Sequence, residues 1–389
     1  MPQLVRRSRA RPRLSRVRLV FVTGSGISVG AGMPSLQAIT EQLLSGRNVT
    51  RQGGRFQIWD ELPLQHEMWL DGVERTLGFL GELKAMCDAY FVRHDHERQT
   101  IYEDLAFVAQ QIEDAIVGEY ENPALVPLIE RFTQSPYSGL TLEELRELAG
   151  GASDYIHETV RRMLARISGP VDYLAPILDA FEDDAVEQLD VFTLNHDVVM
   201  ETALAERGLS YSDGFEEAWG TLRLWSDTYR HPTRRPFKLH GSIDWYRYDL
   251  DFGDWSGQRM ARPIGDPEHP KGPGGEDLGA RGCPCEGRPE FLAGTFNKIL
   301  SYPTGIYADQ HAHFHKSLRE ADALVVIGYG LRDKAINTRV IAWATRLETA
   351  DWSWCTPTQM AWLSALDPRS RTSGLTGSRA DCSGSSRGP

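Results

Sequence analysis

V-F-V-T-G-S-G-I-S-V-G-A-G-M-P-S-L, residues 20 to 36, is the stretch whose reading decides the fold. An apolar, β-branched run ends at Thr23, and a loop carrying Gly24, Gly26, Gly30 and Gly32 follows at once. Leu36, Ile39, Leu43 and Leu44 then recur at helical spacing. Strand, glycine loop and helix predict a Rossmann-like α/β unit built on a parallel sheet. Glycines there let the backbone approach a diphosphate, and the free N–H groups of the helix start supply partial positive charge. Such turns occur in many α/β proteins, so the loop alone does not decide whether a dinucleotide binds.

Outward from this loop, residues 60 to 185 are rich in Leu, Glu, Arg and Ala at helical spacing and read as a helical insertion. The α/β pattern resumes at Asp190–Leu194, a strand ending in Asn195-His196-Asp197, with a helix from about 198 to 207. F-K-L-H-G-S-I-D-W (237 to 245) reads as a further short strand stopping at a polar turn. Residues 250 to 289, dense in Gly, Pro, Asp and Arg, read as a surface loop or lid. A helix over about 307 to 320 leads into A-L-V-V-I-G (323 to 328), an uninterrupted apolar run of the kind buried in a parallel sheet. That run ends in Gly328-Tyr329-Gly330, and a helix follows from about Asp333.

The ends read differently. Residues 1 to 18 hold seven arginines and no acid, predicting a basic disordered arm. Its rivals are a nucleic-acid-touching tail and normally untranslated sequence added by an upstream start codon. An α/β domain would then run from 19 to 348, and a tail from 349 to 389. The apolar rhythm stops at Trp352, where a doubly wound sheet wants one more strand. Reading W-S-W-C-T-P-T-Q-M-A-W-L in a shifted frame permits V-V-V-H-P-H-P-N-G-L-A-E-R, a buried strand, a turn and a helix start. The tail is therefore expected to be disordered or frameshifted from near residue 351, with the loss of part of a nucleotide pocket.

Composition narrows the function. At 389 residues, 41% hydrophobic and 25% charged, the chain has the make-up of a soluble globular protein, and no apolar run approaches the roughly 18 residues of a membrane span. A net charge of −12 argues against general nucleic-acid binding outside the basic arm. Five scattered cysteines (Cys87, Cys283, Cys285, Cys355, Cys382) and no signal-peptide pattern predict a cytoplasmic protein without a disulfide framework. C-P-C at 283 to 285 has the wrong spacing for a zinc knuckle, so no metal site is expected.

Three polar clusters fall at the C-terminal ends of predicted parallel strands, where open α/β sheets bind ligands: the 24 to 34 loop, Asn195 with Asp197, and His240-Gly241-Ser242. Each has a plainer reading. Asp197 suits a helix cap, Thr193 a strand end, and His240 alone a structural histidine.

T-G-S-G-I-S-V-G-A-G-M-P-S-L resembles the sirtuin NAD-binding loop, T-L-N-H-D (193 to 197) is similar to the sirtuin T-Q-N-x-D, and K-L-H-G-S (238 to 242) to its E-L-H-G-S. A-D-A-L-V-V-I-G-Y-G-L-R-D is like the late strand whose turn meets adenosine. With Y-G-L-R-D-x-x-I-N and K-L-H-G-S-I-D-W, the chain resembles the prokaryotic sirtuin-like branch of antiphage defence proteins, which mostly hydrolyse NAD. The paired CxxC module of the deacylating sirtuins is missing, and Ser35 and Leu36 stand where those enzymes carry an acid and a phenylalanine. Both departures point away from acyl-lysine peptides.

The resemblance implies a sirtuin-like NAD glycohydrolase of abortive antiviral defence, with NAD as substrate and no metal. Asn195 would position the nicotinamide ribose and the attacking water, His240 would act as base, and Asp197 would hold the ribose or Asn195. Gly24, Ser25, Gly26, Ser28, Gly32 and Pro34 would line the diphosphate and nicotinamide side, and Gly328 and Tyr329 the adenosine side. Control by homo-oligomerisation, a regulatory partner or a phage trigger is expected, since unchecked NAD loss kills the host. The alternatives are an NAD-dependent deacylase or ADP-ribosyltransferase, and a non-enzymatic sensor that only holds NAD or ADP-ribose.

Overall fold

The apolar runs Val17–Thr23, Val186–Thr193 and Ala323–Ile327 become neighbours at the centre of one sheet. The computed structural model describes residues 3–7, 16–62, 72–94, 98–118, 122–134, 139–251, 256–285, 287–294, 298–345 and 352–355. The chain begins with β1 (Gln3–Arg7) and β2 (Val17–Thr23), then α1 (Leu36–Ser45), β3 (Val49–Gln52) and β4 (Arg55–Ile58). A helical stretch follows: α2 (Val73–Arg93), α3 (Tyr102–Val117), α4 (Val126–Thr133), α5 (Leu142–Leu164) and α6 (Ala175–Glu182). Next come β5 (Val186–Thr193), α7 (Val199–Glu206), β6 (Glu217–Trp219), β7 (Leu222–Leu224), β8 (Arg234–Lys238), β9 (Tyr246–Asp251) and β10 (Ser256–Pro263). The last elements are α8 (Lys298–Ser301), α9 (Gly305–Glu320), β11 (Ala323–Ile327), α10 (Lys334–Thr345) and β12 (Trp352–Cys355).

The main sheet runs β12-β1-β11-β2-β5-β8. Its strands β11, β2, β5 and β8 are parallel, with Val22 facing Val326 on one side and Phe192 on the other. Taken in chain order these four strands lie 3-2-1-4, so the direction of winding reverses between β2 and β11. That reversal opens a crevice at the C-terminal edge in α/β sheets of this Rossmann-like kind. Alternation along the strands divides the core in two. Leu19, Phe21, Leu189, Val191, Val325 and Ile327 face α1 to α7, whereas Val20, Val22, Phe192, Phe237, Leu324 and Val326 face α9 and α10. Both faces are covered, which is why the strands read as continuous apolar runs.

Four local features differ from the sequence reading. Gln3–Arg7 of the expected arm is a strand, antiparallel to β11, and Trp352–Cys355 of the expected tail pairs antiparallel with it in turn. The parallel edge of β11 would otherwise present unpaired N–H and C=O groups, and β1 satisfies them. Val17 and Arg18 of the expected arm already belong to β2, and residues 1, 2 and 8–15 of the arm and the tail outside 352–355, including residue 351, lie outside the described residues. The expected 250–289 loop contains β10, which joins β9, β7 and β6 in an antiparallel sheet packed on Tyr246, Tyr248 and Leu250. Most of its Gly and Pro falls in the turns from Ile264 onward, although Gly257 and Pro263 lie in β10 itself. Finally, β3 and β4 form a hairpin across Gly53-Gly54, whose φ values of 58° and 84° suit a tight primed turn.

Helix α1 begins only at Leu36, where the Ser35 hydroxyl accepts from Ala38 N at 3.1 Å, and it ends at left-handed Gly46. A single 3-10 turn, Ser25–Ile27, directly follows β2. The first N–H groups beyond the glycines therefore belong to that turn and not to α1. Among the described residues no helix is long and apolar enough to cross a membrane.

At the crevice, Gly26 N donates to Gly328 O at 2.9 Å. Gly328 has φ 64°, and a Cβ there would lie 2.4 Å from Ile27 N. Gly328→Ala therefore carries both a conformational penalty and a backbone clash, with an expected loss of about 1–3 kcal/mol. Urea denaturation of both proteins, compared at equal m-value, checks this.

Candidate functional site

Strand ends bring three of the sequence clusters to the crevice. After β2 the chain turns through Gly24–Ser28, and after β5 it turns at Asn195. Asn195 is buried; its Nδ2 donates to Ser28 Oγ at 2.9 Å and to Gly24 O at 3.2 Å, while its N–H donates to Thr193 Oγ1 at 3.1 Å. The glycine loop and Asn195 are thus one hydrogen-bonded unit. Asp197 Oδ1 accepts from Val199 N at 3.1 Å, the capping role its position suggested. Its carbonyl accepts from the Lys238 ammonium, which also lies 3.2 Å from Glu201 Oε1. Lys238 and Glu201 are both buried, so the last residue of β8 and the first turn of α7 are locked by an ion pair removed from water.

A cavity of about 10 Å³ opens among Thr23, Ser28, Thr193, Asn195, Asp197 and Glu201, with Ile27, Leu174, Val199 and Met200 as its apolar wall. Two buried polar atoms on this lining, Thr23 Oγ1 and Glu201 Oε2, have no hydrogen-bond partner in the protein. Unmet buried groups are rare and costly in folded proteins, so their presence together at one strand edge marks a place for a polar guest. Its volume is about that of one water-sized probe.

The glycines divide by neighbour. A Cβ on Gly24 or Gly26 would lie 2.7 Å from the Tyr329 or Gly328 Cα, whereas a Cβ on Gly30 would meet Tyr173 and one on Gly32 would meet Ser168 Oγ. Gly24, Gly26, Gly328 and Tyr329 therefore share the crevice. Gly32 instead packs on the connection between α5 and α6, Ser25 is exposed, and Pro34 is half-buried. The Tyr329 hydroxyl donates to Asn337 Oδ1 at 2.8 Å and accepts from Asp333 N at 3.1 Å, bracing the turn before α10.

His240 sits two residues beyond Lys238, the end of β8, and touches neither Asn195 nor Asp197 through a hydrogen bond. Its Nε2 lies 2.8 Å from Tyr302 Oη and 3.1 Å from Asp333 Oδ2. Burial and the nearby Lys298 ammonium pull the His240 pKa below the ordinary histidine value, against the opposing pull of Asp333. Burial would raise Asp333, but the His240 and Tyr302 bonds hold it well below the usual carboxylate range. Tyr302 stacks on His311, which burial and the His240 charge push down to about 4. His196 is likewise lowered, chiefly by burial.

Tyr302, Lys298, Glu201 and Asp333 were missed as site residues. Asp333 and Lys238 lay inside quoted motifs, and Glu201 follows Asp197 by one helical turn. Tyr302 and Lys298 carry no local signal; only the return of the chain through α8 brings them to His240. The helical stretch also reaches the site. Tyr173 donates to Ile27 O, Lys298 pairs with Glu103 of α3 at 2.7 Å, and the ring of His157 of α5 packs tilted against Phe291, which packs tilted against His196.

No protein-family model matches the chain, and no curated protein matches it either.

His196, His240 and His311 all have lowered pKa values, so the unfolded chain takes up these protons first as the solution is acidified. Stability is fully present above about pH 7 and falls below about pH 6.5, by about 1.4 kcal/mol per pH unit for each histidine over its window. Urea midpoints at about pH 7.5 and about pH 5 measure the decline, and His311→Asn makes it shallower.

Proposed function

We propose that this chain is a sirtuin-like NAD glycohydrolase, cleaving the nicotinamide–ribose bond to give nicotinamide and ADP-ribose. The observation that carries the reading is the cavity between the ends of β2 and β5, where Asn195 is tied to the glycine loop and Glu201 Oε2 and Thr23 Oγ1 stand without partners. A carboxamide offers the N–H donors that an unmet carboxylate oxygen accepts. The four sequence motifs that resemble sirtuins lie on this edge or beside it.

The reaction asks little of the protein. As the C1′–N bond breaks, its electron pair passes to the pyridinium nitrogen and neutralises it, so no acid is needed. The ribose cation that develops is stabilised by fixed dipoles in a dry site. Gly24 O and Ser28 Oγ hold Asn195 rigid through its amide nitrogen, so its side-chain oxygen is the group it has to offer. Water then forms the new C1′–O bond and gives its proton to His240, whose lowered pKa keeps it a neutral base at physiological pH. ADP-ribose leaves with the former water oxygen on C1′.

A nicotinamide ring placed in this cavity has the turn after β2, the turn after β5 and the first turn of α7 as its walls. Control by a trigger or by oligomerisation suits an activity that abortive antiviral defence must keep silent until it is needed.

NAD consumption by the purified chain, with products separated, tests the proposal beside Asn195→Ala and His240→Ala. Nicotinamide and ADP-ribose should appear with the unaltered chain, and each variant should lose about 10²-fold or more of the rate. NAD that binds by calorimetry yet stays intact would favour a sensor instead.

A further inference from the structure

Asp333 divides its two oxygens between two tasks. Oδ1 accepts from Ala335 N at 2.9 Å and Ile336 N at 3.0 Å, capping α10. Oδ2 faces His240 Nε2 at 3.1 Å and accepts from the Tyr302 hydroxyl. Tyr302 Oη in turn lies 2.8 Å from the same Nε2.

Three polar atoms therefore meet with few protons to share, and their chemistry leaves one arrangement. Asp333 lies at the positive end of α10 with two backbone N–H groups on it, so it is ionised and can only accept. Tyr302 has one proton, and it is donated in a hydrogen bond to the carboxylate. The Tyr302 oxygen and Asp333 Oδ2 both then face Nε2 as acceptors, and a bare Nε2 would confront two lone pairs. Nε2 must carry the proton. In a neutral imidazole this leaves Nδ1 as the basic nitrogen.

We propose that Asp333 is the positioning residue for His240, fixing the imidazole with its proton on Nε2 and presenting Nδ1 as the proton acceptor. The proposal rests on the reading of His240 as the base. When Nδ1 takes a proton from water, the imidazolium that forms is already bonded through Nε2 to a carboxylate. The same strut joins the turn after β11 to the turn after β8, so rearrangement of the Tyr329 turn moves His240 with it. The other groups around the ring are Lys298 from α8, with its partner Glu103 from α3, together with His196 after β5 and His311 from α9.

Nuclear magnetic resonance of the full chain, labelled with nitrogen-15 at histidine, reads the tautomer directly. The His240 signal is assigned by its loss in His240→Gln. The unaltered chain should show Nε2–H with a bare Nδ1. Asp333→Asn keeps a good helix cap but offers Nε2 an N–H donor, so the proton should move to Nδ1. Its kcat should fall by about 10²-fold or more with KM nearly constant. The acid limb of its pH–rate profile should move to lower pH, because the carboxylate no longer favours the imidazolium. Tyr302→Phe, which keeps Asp333 against Nε2, should retain the Nε2–H tautomer and guards against a misfolded first variant. A bare Nε2 in the unaltered chain overturns the proposal, as does Asp333→Asn with unchanged tautomer and kcat. Nε2–H in the unaltered chain that shifts to Nδ1 in Asp333→Asn, with no NAD consumed by any form, refutes His240 as the base while upholding the lock.

Discussion

Backbone touches backbone where the sheet changes its direction of winding. The turn after β2 and the turn after β11 approach so closely that Gly24, Gly26 and Gly328 leave no space for a Cβ between them. Everything at the edge hangs from this contact. On one side the chain leads to Ser28, which holds Asn195; on the other it leads through Tyr329 to Asp333, which holds His240. The two candidate chemical groups do not bond to each other. They are placed by separate struts from one shared hinge of glycine backbone, so a change in that spacing is felt by both.

The polar content of the site is concentrated and dry. Lys238, Glu201, Asn195, Asp197, His196 and His240 are all buried, and most of their hydrogen-bonding capacity is met within the protein. Among the exceptions are His196 Nδ1 and, together on one cavity, Thr23 Oγ1 and Glu201 Oε2. Fully satisfied networks rigidify, and partly satisfied ones mark where something else belongs. The helical stretch adds a wall to this arrangement through Tyr173 and Leu174, and it reaches the His240 side through Glu103.

Strands with two covered faces were legible because continuous β-branched runs have few other uses, and the helices after them followed from their spacing. The β3–β4 hairpin had a signal, Gly53-Gly54 between alternating residues, outweighed by the polarity of its strands. So did β9, where Tyr246, Tyr248 and Leu250 alternate with charged residues ahead of a Gly- and Pro-rich stretch. At the site, Asn195 and the glycines could be placed from their positions at strand ends. Gly30 and Gly32 could not be told apart from Gly24 and Gly26, because a glycine needed for packing on Tyr173 or Ser168 looks the same in sequence as one needed at the crevice. Tyr302 was hidden for another reason. Its contact with His240 spans 62 positions and depends on how α8 lies, which no local pattern encodes.

The position of β2 carries a cost during synthesis. It is the second strand made, yet its neighbour β11 pairs with it across about 300 residues, as in Leu19 with Ala323. Until β11 is made, β2 has one edge filled by β5 and the other bare. Closing so long a loop is entropically affordable but kinetically slow, and a bare apolar strand edge is a template for association with other chains. The nascent protein thus passes most of its translation with half of its crevice unbuilt. The Gly26–Gly328 contact can form only after nearly the whole domain exists. A chain cut short before β11 would keep the glycine loop but lack the surface that shapes it, so the site is assembled late in synthesis.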